Sequence, residues 1–239
     1  MRLAGLLLLL AAALAARPLA AQPLPPLLPD TTAAAYGAST ALIIRLDEYG
    51  FGLGTAARGR LTDDLSLTFE AAIGSGKDAR EQQFAIGGIL GDTVTPLKRN
   101  YVLLLPAHLG IENRLFRQSV ESNFRPYVAA SGGPVLALQW PYFDDANGDG
   151  IRQSDSERRL GAFGGLGSTQ PRLGVSGSAS VGAYFGNGTQ RALGLRFAFV
   201  GHYFPAEVDL LEVREDVETP SRRWFLTPVV SFHIVRLLD

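Results

Sequence analysis

The sequence predicts an all-β chain: a closed antiparallel transmembrane β-barrel of about eight strands, with short periplasmic turns and long extracellular loops. Three observations predict it. Apolar and polar residues alternate with period two over much of the chain, the connections alternate between short and long, and the non-apolar strand face is mostly Gly, Ala and Ser rather than charge.

The N-terminus is expected to be a cleaved signal peptide over residues 1–21. Met1-Arg2 supplies a cation, residues 3–16 an apolar run, and Ala20-Ala21 a small-residue cleavage site before Gln22. That run is shorter than the roughly 20 apolar residues of a spanning helix. Residues 22–35, rich in Pro, Leu and Ala, are expected as a flexible periplasmic lead-in, and 36–239 as the barrel domain. At 239 residues the chain suits one domain.

Removing Arg2 and Arg17 from the 22 basic residues leaves 20 against 23 acids, a net charge of −3, so no nucleic-acid partner is expected. The chain has no cysteine, which excludes disulfides, thiolate metal sites and lipid attachment through a cysteine.

The strands follow in order. Residues 38–46 and 50–61 form two weaker ones, joined at Asp47-Glu48-Tyr49. In 65–74 the odd positions Leu65, Leu67, Phe69, Ala71 and Ile73 are apolar, and the even positions are polar or small. In 101–116, Leu103, Leu105, Leu109, Ile111 and Leu115 oppose His108, Gly110, Glu112 and Arg114, with Val102 and Leu104 blurring the start. Strand 124–140 sets Phe124, Val128, Leu136, Leu138 and Trp140 against Arg125, Tyr127, Ser131 and Gln139. Strand 173–185 sets Leu173, Val175, Val181 and Phe185 against Ser176, Ser178, Ser180 and Tyr184. Strand 191–204 places Leu193, Leu195, Phe197, Phe199 and Tyr203 opposite Gly194, Arg196, Ala198 and His202. The last, 223–237, opposes Trp224, Leu226, Val230, Phe232 and Ile234 to Thr227, Ser231 and His233.

The connections 62–64, 117–123 and 187–190 are short. Those at 77–99, 141–172 and 205–222 are long and polar, and only the first external loop breaks the pattern. Strand lengths suit a tilted crossing, which needs roughly 9–11 residues. Tyr101, Phe116, Phe124, Trp140, Phe185, Tyr203 and Trp224 lie near strand ends, as interfacial girdles do. A soluble sandwich would alternate too, but its outward face would carry charge. Small residues instead suit the narrow interior of an eight-stranded barrel.

In layout over residues 36–239 the chain resembles the small outer-membrane barrels of the OmpA/OmpW type. The carriers are Asn123-Phe124-Arg125-Pro126-Tyr127-Val128, the Ser131-Gly132-Gly133-Pro134 stretch after it, and the aromatic last strand. It departs from them at the end, where Arg236-Leu237-Leu238-Asp239 stands in place of a terminal aromatic, and Phe232 is the nearest substitute for the assembly signal. The resemblance implies a monomer in the outer membrane of a Gram-negative-type bacterium, with lipid, lipopolysaccharide and the barrel-assembly machinery as partners. It implies place and fold more than activity.

Two sets of residues are candidates for function. The first is a polar lumen network of Arg58, Glu70, His108, Glu112, Arg114, Arg125, Arg172, Arg196, His202 and His233. An Arg or Lys facing lipid at mid-depth costs about 2–4 kcal/mol, so such groups turn inward and pair. His108 and Glu112, about 13 Å apart along one strand, cannot form a dyad by themselves. No spacing of nucleophile, base and orienting group is recognisable, and a structural role is expected rather than catalysis.

The second set lies in 145–157 and resembles the first half of an EF-hand loop. Asp145, Asn147, Asp149 and the Ile151 carbonyl would bind calcium as oxygen ligands, and Gly150 takes the sixth position. Ser156 stands where a bidentate acid belongs, flanked by Asp155 and Glu157. The acids of the last loop, Glu207, Asp209, Glu212, Glu215, Asp216 and Glu218, are expected to be solvated.

The sequence thus points to a non-enzymatic integral outer-membrane protein serving envelope structure, adhesion or small-solute passage. No cofactor is required, and calcium is the one ion suggested. Two alternatives stay open: a membrane-embedded enzyme acting on lipid with His202 and Glu207 near the loop rim, and an exported β-sandwich binding calcium or sugar.

Overall fold

The computed structural model describes residues 38–77, 81, 84–86, 92–120, 123–153, 156–186, 191–212 and 222–238. The expected signal peptide and lead-in, Asp155, Glu215, Asp216 and Glu218 lie outside the described residues. The strands are β1 (Ser39–Asp47), β2 (Gly50–Arg60), β3 (Leu65–Gly76), β4 (Phe84–Ile86), β5 (Asp92–Val94), β6 (Asn100–Arg114), β7 (Phe124–Pro141), β8 (Gln170–Phe185), β9 (Arg191–Val208) and β10 (Arg222–Leu237). Eight of them close into one barrel in the order β1-β10-β9-β8-β7-β6-β3-β2, all neighbours antiparallel. β4 and β5 pair only with each other, a small hairpin in an external loop that alternation does not predict.

Closure runs through β1 and β10, from Ser39 opposite Leu237 to Asp47 opposite Val229. This pairing rules out the sandwich, which would leave two open sheets with four edges. No helix among the described residues is long and apolar enough to cross a membrane.

The walls are two-sided as the period-two pattern requires. On β10, Trp224, Leu226, Phe232 and Ile234 are exposed, while Phe225, Thr227, Ser231 and His233 are buried. On β9, Leu193, Phe197 and Phe199 face out, and His202 and Phe204 face in. So many large apolar side chains in one band cannot be stable in water, and a hydrocarbon surround removes the penalty.

The strand ends differ from those read in the sequence. β8 starts at Gln170 opposite Gln139, and β9 runs on to Val208 opposite Arg222, because hairpin partners stay paired above the apolar band. β6 stops at Arg114 because Phe116 takes a positive φ of 55°, which breaks the extended backbone. The first hairpin is tight: Asp47 pairs with Gly50, and Asp47 Oδ1 accepts from the Tyr49 and Gly50 N–H groups at 2.9 and 3.0 Å.

The interior has two layers. Toward the external end, Tyr49, Val102, Leu104, Val135, Ala137, Phe204, Val208, Leu210, Leu211 and Phe225 form an apolar core. Val102 and Leu104, which blurred the alternation of their strand, point inward and belong to this core. Below it lies a polar layer in which Tyr127 and Tyr184 stack with centroids 4.7 Å apart. Gly182 and Gly194 make room for that stack: a Cβ on Gly182 would lie 2.5 Å from the Tyr127 hydroxyl, and one on Gly194 2.9 Å from the Tyr184 ring.

Gly182→Val therefore forces the Tyr127 ring out of place. Overpacking of this kind costs about 1–3 kcal/mol. The barrel should then lose its heat-resistant gel mobility at a lower temperature than wild type; an unchanged transition would mean that the wall absorbs the added volume.

Candidate functional site

The polar layer is built by residues that parity sends inward from all eight barrel strands. Glu70 of β3 takes a two-pronged salt bridge from Arg196 of β9, at 2.6 and 2.8 Å. Arg196 Nε also donates to Ser231 Oγ at 3.1 Å, and Ser231 Oγ lies 3.2 Å from His233 Nε2. Glu112 of β6 accepts from Arg58 of β2 at 2.8 Å and from the Tyr184 hydroxyl at 2.9 Å. Arg58 is further held by Ser39 Oγ at 3.1 Å and lies over the Tyr184 ring, 4.7 Å from its centroid.

His108 Nε2 sits 2.7 Å from Ser176 Oγ, and its Nδ1 3.3 Å from Ser131 Oγ, which meets Ser178 Oγ at 2.7 Å. Two ion pairs thus fill the lumen, Glu70–Arg196 across it and Glu112–Arg58 spanning β3, each with a hydroxyl or ring neighbour, as buried charges require.

The remaining predicted lumen residues lie apart from this centre. Arg114 and Arg125 are buried on the periplasmic ends of β6 and β7, with Arg125 Nη2 donating to the Gly186 carbonyl at 3.0 Å. Arg172 is half-buried at the external rim and donates to Gln170 at 3.0 Å. His202 is buried opposite Phe225, at the border with the apolar core.

His202 and Glu207 do not form a pair: parity turns them to opposite faces of β9, and Glu207 is exposed beside Arg223 at 3.3 Å. Sequence reasoning missed Arg45, which is buried in the lumen with Glu70 and Arg196 as charged neighbours. The only available signal was its position in the run Leu42-Ile43-Ile44-Arg45-Leu46, where adjacent apolar residues hide which face is which.

The lumen keeps a cavity of about 30 Å³, lined by Arg58, Glu70, Ser131, Tyr184 and Arg196 among others. That is room for about two waters. Both the polar layer and the apolar core above it place side chains across the lumen.

Outside the barrel, three loops are stitched into a cap. Arg99 N donates to Leu210 O at 2.9 Å, Tyr142 N to Arg99 O at 2.9 Å, and Glu212 N to Leu97 O at 2.8 Å. Asp144 N donates to Arg158 O at 2.9 Å. Two of the last loop's described acids are engaged in this cap: Glu212, 2% exposed, accepts from Arg152 N at 3.1 Å, and Asp209 lies 3.9 Å from Arg99.

In the loop at 145–157, Asp145 accepts from the N–H groups of Gly148 and Gly150, both at 2.9 Å, and these two glycines hold positive φ of 74° and 72°. Asp149 accepts from Ile151 N at 2.7 Å and from Asn147 Nδ2 at 2.8 Å. Glu157 turns back and accepts from Ala146 N at 3.1 Å and Gln153 N at 2.8 Å, closing the loop through its buried carboxylate. Among the described residues no group of three His, Asp or Glu side chains is placed to hold a metal ion.

The ion pairs give a direct test by double-mutant cycle. Arg196→Leu alone strands Glu70, and loss of one partner of a buried pair costs about 3–5 kcal/mol. The double change Glu70→Leu with Arg196→Leu should recover much of that loss in urea unfolding. Simple addition of the two single losses would mean that the pair is not coupled.

No family model matches the chain, and no curated protein matches it. Among solved structures it is similar to the N-terminal β-barrel domain of Pseudomonas aeruginosa OprF, at 13% identity over 84% of this chain and 97% of that one, TM-score 0.36. It is similar to Neisserial surface protein A at 10% identity over 84% and 94%, TM-score 0.40. It is also similar to Ail, the attachment invasion locus protein of Yersinia pestis, at 9% identity over 83% and 98%, TM-score 0.37. Likeness at this level carries no argument about role. On its own strand order, closure and two-sided walls, the chain has the fold of the small eight-stranded outer-membrane β-barrels.

Proposed function

We propose that this chain is a monomeric integral protein of the bacterial outer membrane whose barrel is an inert, non-conducting support and whose external cap does the work, in envelope structure or adhesion. One observation carries the reading: the lumen is obstructed twice, by the Glu70–Arg196 and Glu112–Arg58 layer and by the apolar core around Phe204 and Phe225. Passage of a solute through the barrel would have to break both at once. Passage is therefore the least favoured of the roles that the sequence suggests. Lipid and lipopolysaccharide are the surroundings that the exposed apolar wall calls for, and the assembly machinery is the partner that would insert it.

The cap supports the surface role. Backbone bonds between residues 97–100, 142 and 210–212 hold loops from three different hairpins in one arrangement, which presents a preformed face at little ordering cost. A lipid-directed enzyme is disfavoured because His202 and Glu207 do not come together.

The external loop is proposed as a loose calcium site, with Asp145, Asn147, Asp149 and the Ile151 carbonyl as ligands. Favouring it, Gly148 and Gly150 already wind the backbone onto Asp145. The Glu157 carboxylate is taken up by Ala146 and Gln153, so the affinity belongs in the range of extracellular sites, about 0.1–1 mM.

Purified protein in a planar lipid bilayer should give no conductance steps above the bare membrane, and an unboiled sample from outer-membrane fractions should migrate differently from a boiled one. Discrete ohmic steps would reject the sealed lumen, and a soluble, unshifted band would reject the membrane placement. Calorimetric titration with calcium chloride should show millimolar-range binding that Asp149→Ala abolishes; no heat at any accessible concentration would remove calcium from the reading.

A further inference from the structure

The loop between β7 and β8 carries two large apolar side chains that nothing among the described residues covers. Phe163 is 80% exposed and Leu166 47% exposed. They sit in Leu160-Gly161-Ala162-Phe163-Gly164-Gly165-Leu166-Gly167-Ser168-Thr169, a stretch without an ionisable residue in an otherwise polar external loop.

Where this stretch lies is what gives it meaning. Trp140 belongs to the outward face of β7 by parity, yet it is only 8% exposed, because residues 162–165 are laid over it from outside. Trp140 Nε1 donates to the Ala162 carbonyl at 2.8 Å. Gly165 is buried so close to the wall that a Cβ there would meet the Pro141 carbonyl at 2.7 Å and the Trp140 ring at 3.3 Å. The 3-10 turn Leu166–Ser168 then leads straight into β8. The loop therefore does not rise away from the barrel at this point. It folds down against the outer wall.

The wall beneath it is the lipid-facing band. Leu173 and Val175 of β8 are 69% and 61% exposed, and the band continues down that strand through Val181 to Phe185. At about 3.3 Å per residue and a tilt near 40°, the run from Leu173 to Phe185 rises about 30 Å, the thickness of a hydrocarbon core. Leu173 thus marks the external edge of the hydrocarbon, and Leu166 and Phe163 lie just beyond it. Tyr101, stacked on Trp140 at 5.8 Å, adds an interfacial aromatic at the same height.

We propose that residues 161–168 form a membrane-interface anchor, in which Phe163 and Leu166 dip into the external leaflet of the bilayer that surrounds the barrel. The occupant of this apolar surface is the lipid itself, because the surface is continuous with a wall that lipid already covers. Phe, Leu and a run of glycines without charge suit the boundary between headgroups and chains. Anchoring here pins one side of the external cap to the membrane plane and fixes the tilt at which the remaining loops are presented. The inference rests on the membrane placement of the barrel.

The natural absence of cysteine makes the test direct. Single-cysteine variants Phe163→Cys and Leu166→Cys, with Leu226→Cys in the apolar band of β10 and Ala146→Cys at the exposed loop tip as references, are labelled with an environment-sensitive fluorophore. The full chain is then reconstituted in phosphatidylcholine vesicles with and without lipids spin-labelled at shallow acyl depth.

Labels at 163 and 166 should emit to the blue of that at 146 and be quenched by the spin-labelled lipid. A water-like, iodide-quenched label at 163 beside a lipid-quenched one at 226 overturns the anchor and leaves the barrel reading intact. Water-like emission at both 163 and 226 overturns the two together. Blue-shifted emission at 163 that ignores the spin label and grows with protein density means that a second copy covers the loop, which also overturns the proposal. Emission at 146 that shifts as much as that at 163 means that the dye drives insertion, and it removes the support.

Discussion

In hydrocarbon no water is available to satisfy a strand edge, so the pairing of β1 with β10 is the interaction on which everything else depends. Nine residue pairs close the ring, from Ser39 opposite Leu237 to Asp47 opposite Val229, and with them each barrel strand has a partner on both sides. Once the ring is closed, strand parity has only two destinations, lipid or lumen. The same constraint explains why Leu226, Phe197 and Ile111 are tolerated on the surface and why Arg45, Arg58 and Arg196 turn inward.

The narrowness of an eight-stranded ring dictates how the lumen is filled. Large side chains fit only where the opposing strand contributes glycine or serine. Tyr127 and Tyr184 stack over Gly182 and Gly194, and Arg196 reaches Glu70 past Ser231. Charge inside the barrel is costly unless paired, and both pairs are closed by direct salt bridges, Glu112–Arg58 near the short-turn end and Glu70–Arg196 further in. Above them the chain changes strategy and fills the space with Val102, Leu104, Phe204 and Phe225. Polar and apolar layers together make the barrel a solid post that carries its loops.

The described parts of the loops are bonded to one another and to the wall. Backbone bonds join the segments at 97–100, 142 and 210–212, Glu157 closes the loop at 145–157, and Trp140 holds the apolar stretch at 161–168 down against the wall. A closed barrel below and backbone bonds between the loops above hold those loop segments in one arrangement.

Much of this was legible in the sequence because a membrane barrel has one dominant rule. Alternation in 65–74, 191–204 and 223–237, together with short and long connections, determines strands, faces and topology class. The inward bias of the ionisable residues follows from the same parity. Other features needed the folded ring. Glu70 and Arg196 are 126 residues apart, and only the registers of the intervening strands bring them together. Arg45, Val102 and Leu104 sit in apolar runs where parity is silent, so the apolar half of the lumen was invisible. Trp140 has the parity of a lipid-facing residue, but the loop that covers it follows later in the chain. Which residues face each side of the wall is written locally in the sequence, since it depends on neighbours one and two positions away. What each inward residue touches was left to tertiary structure, since it depends on register around a closed circle.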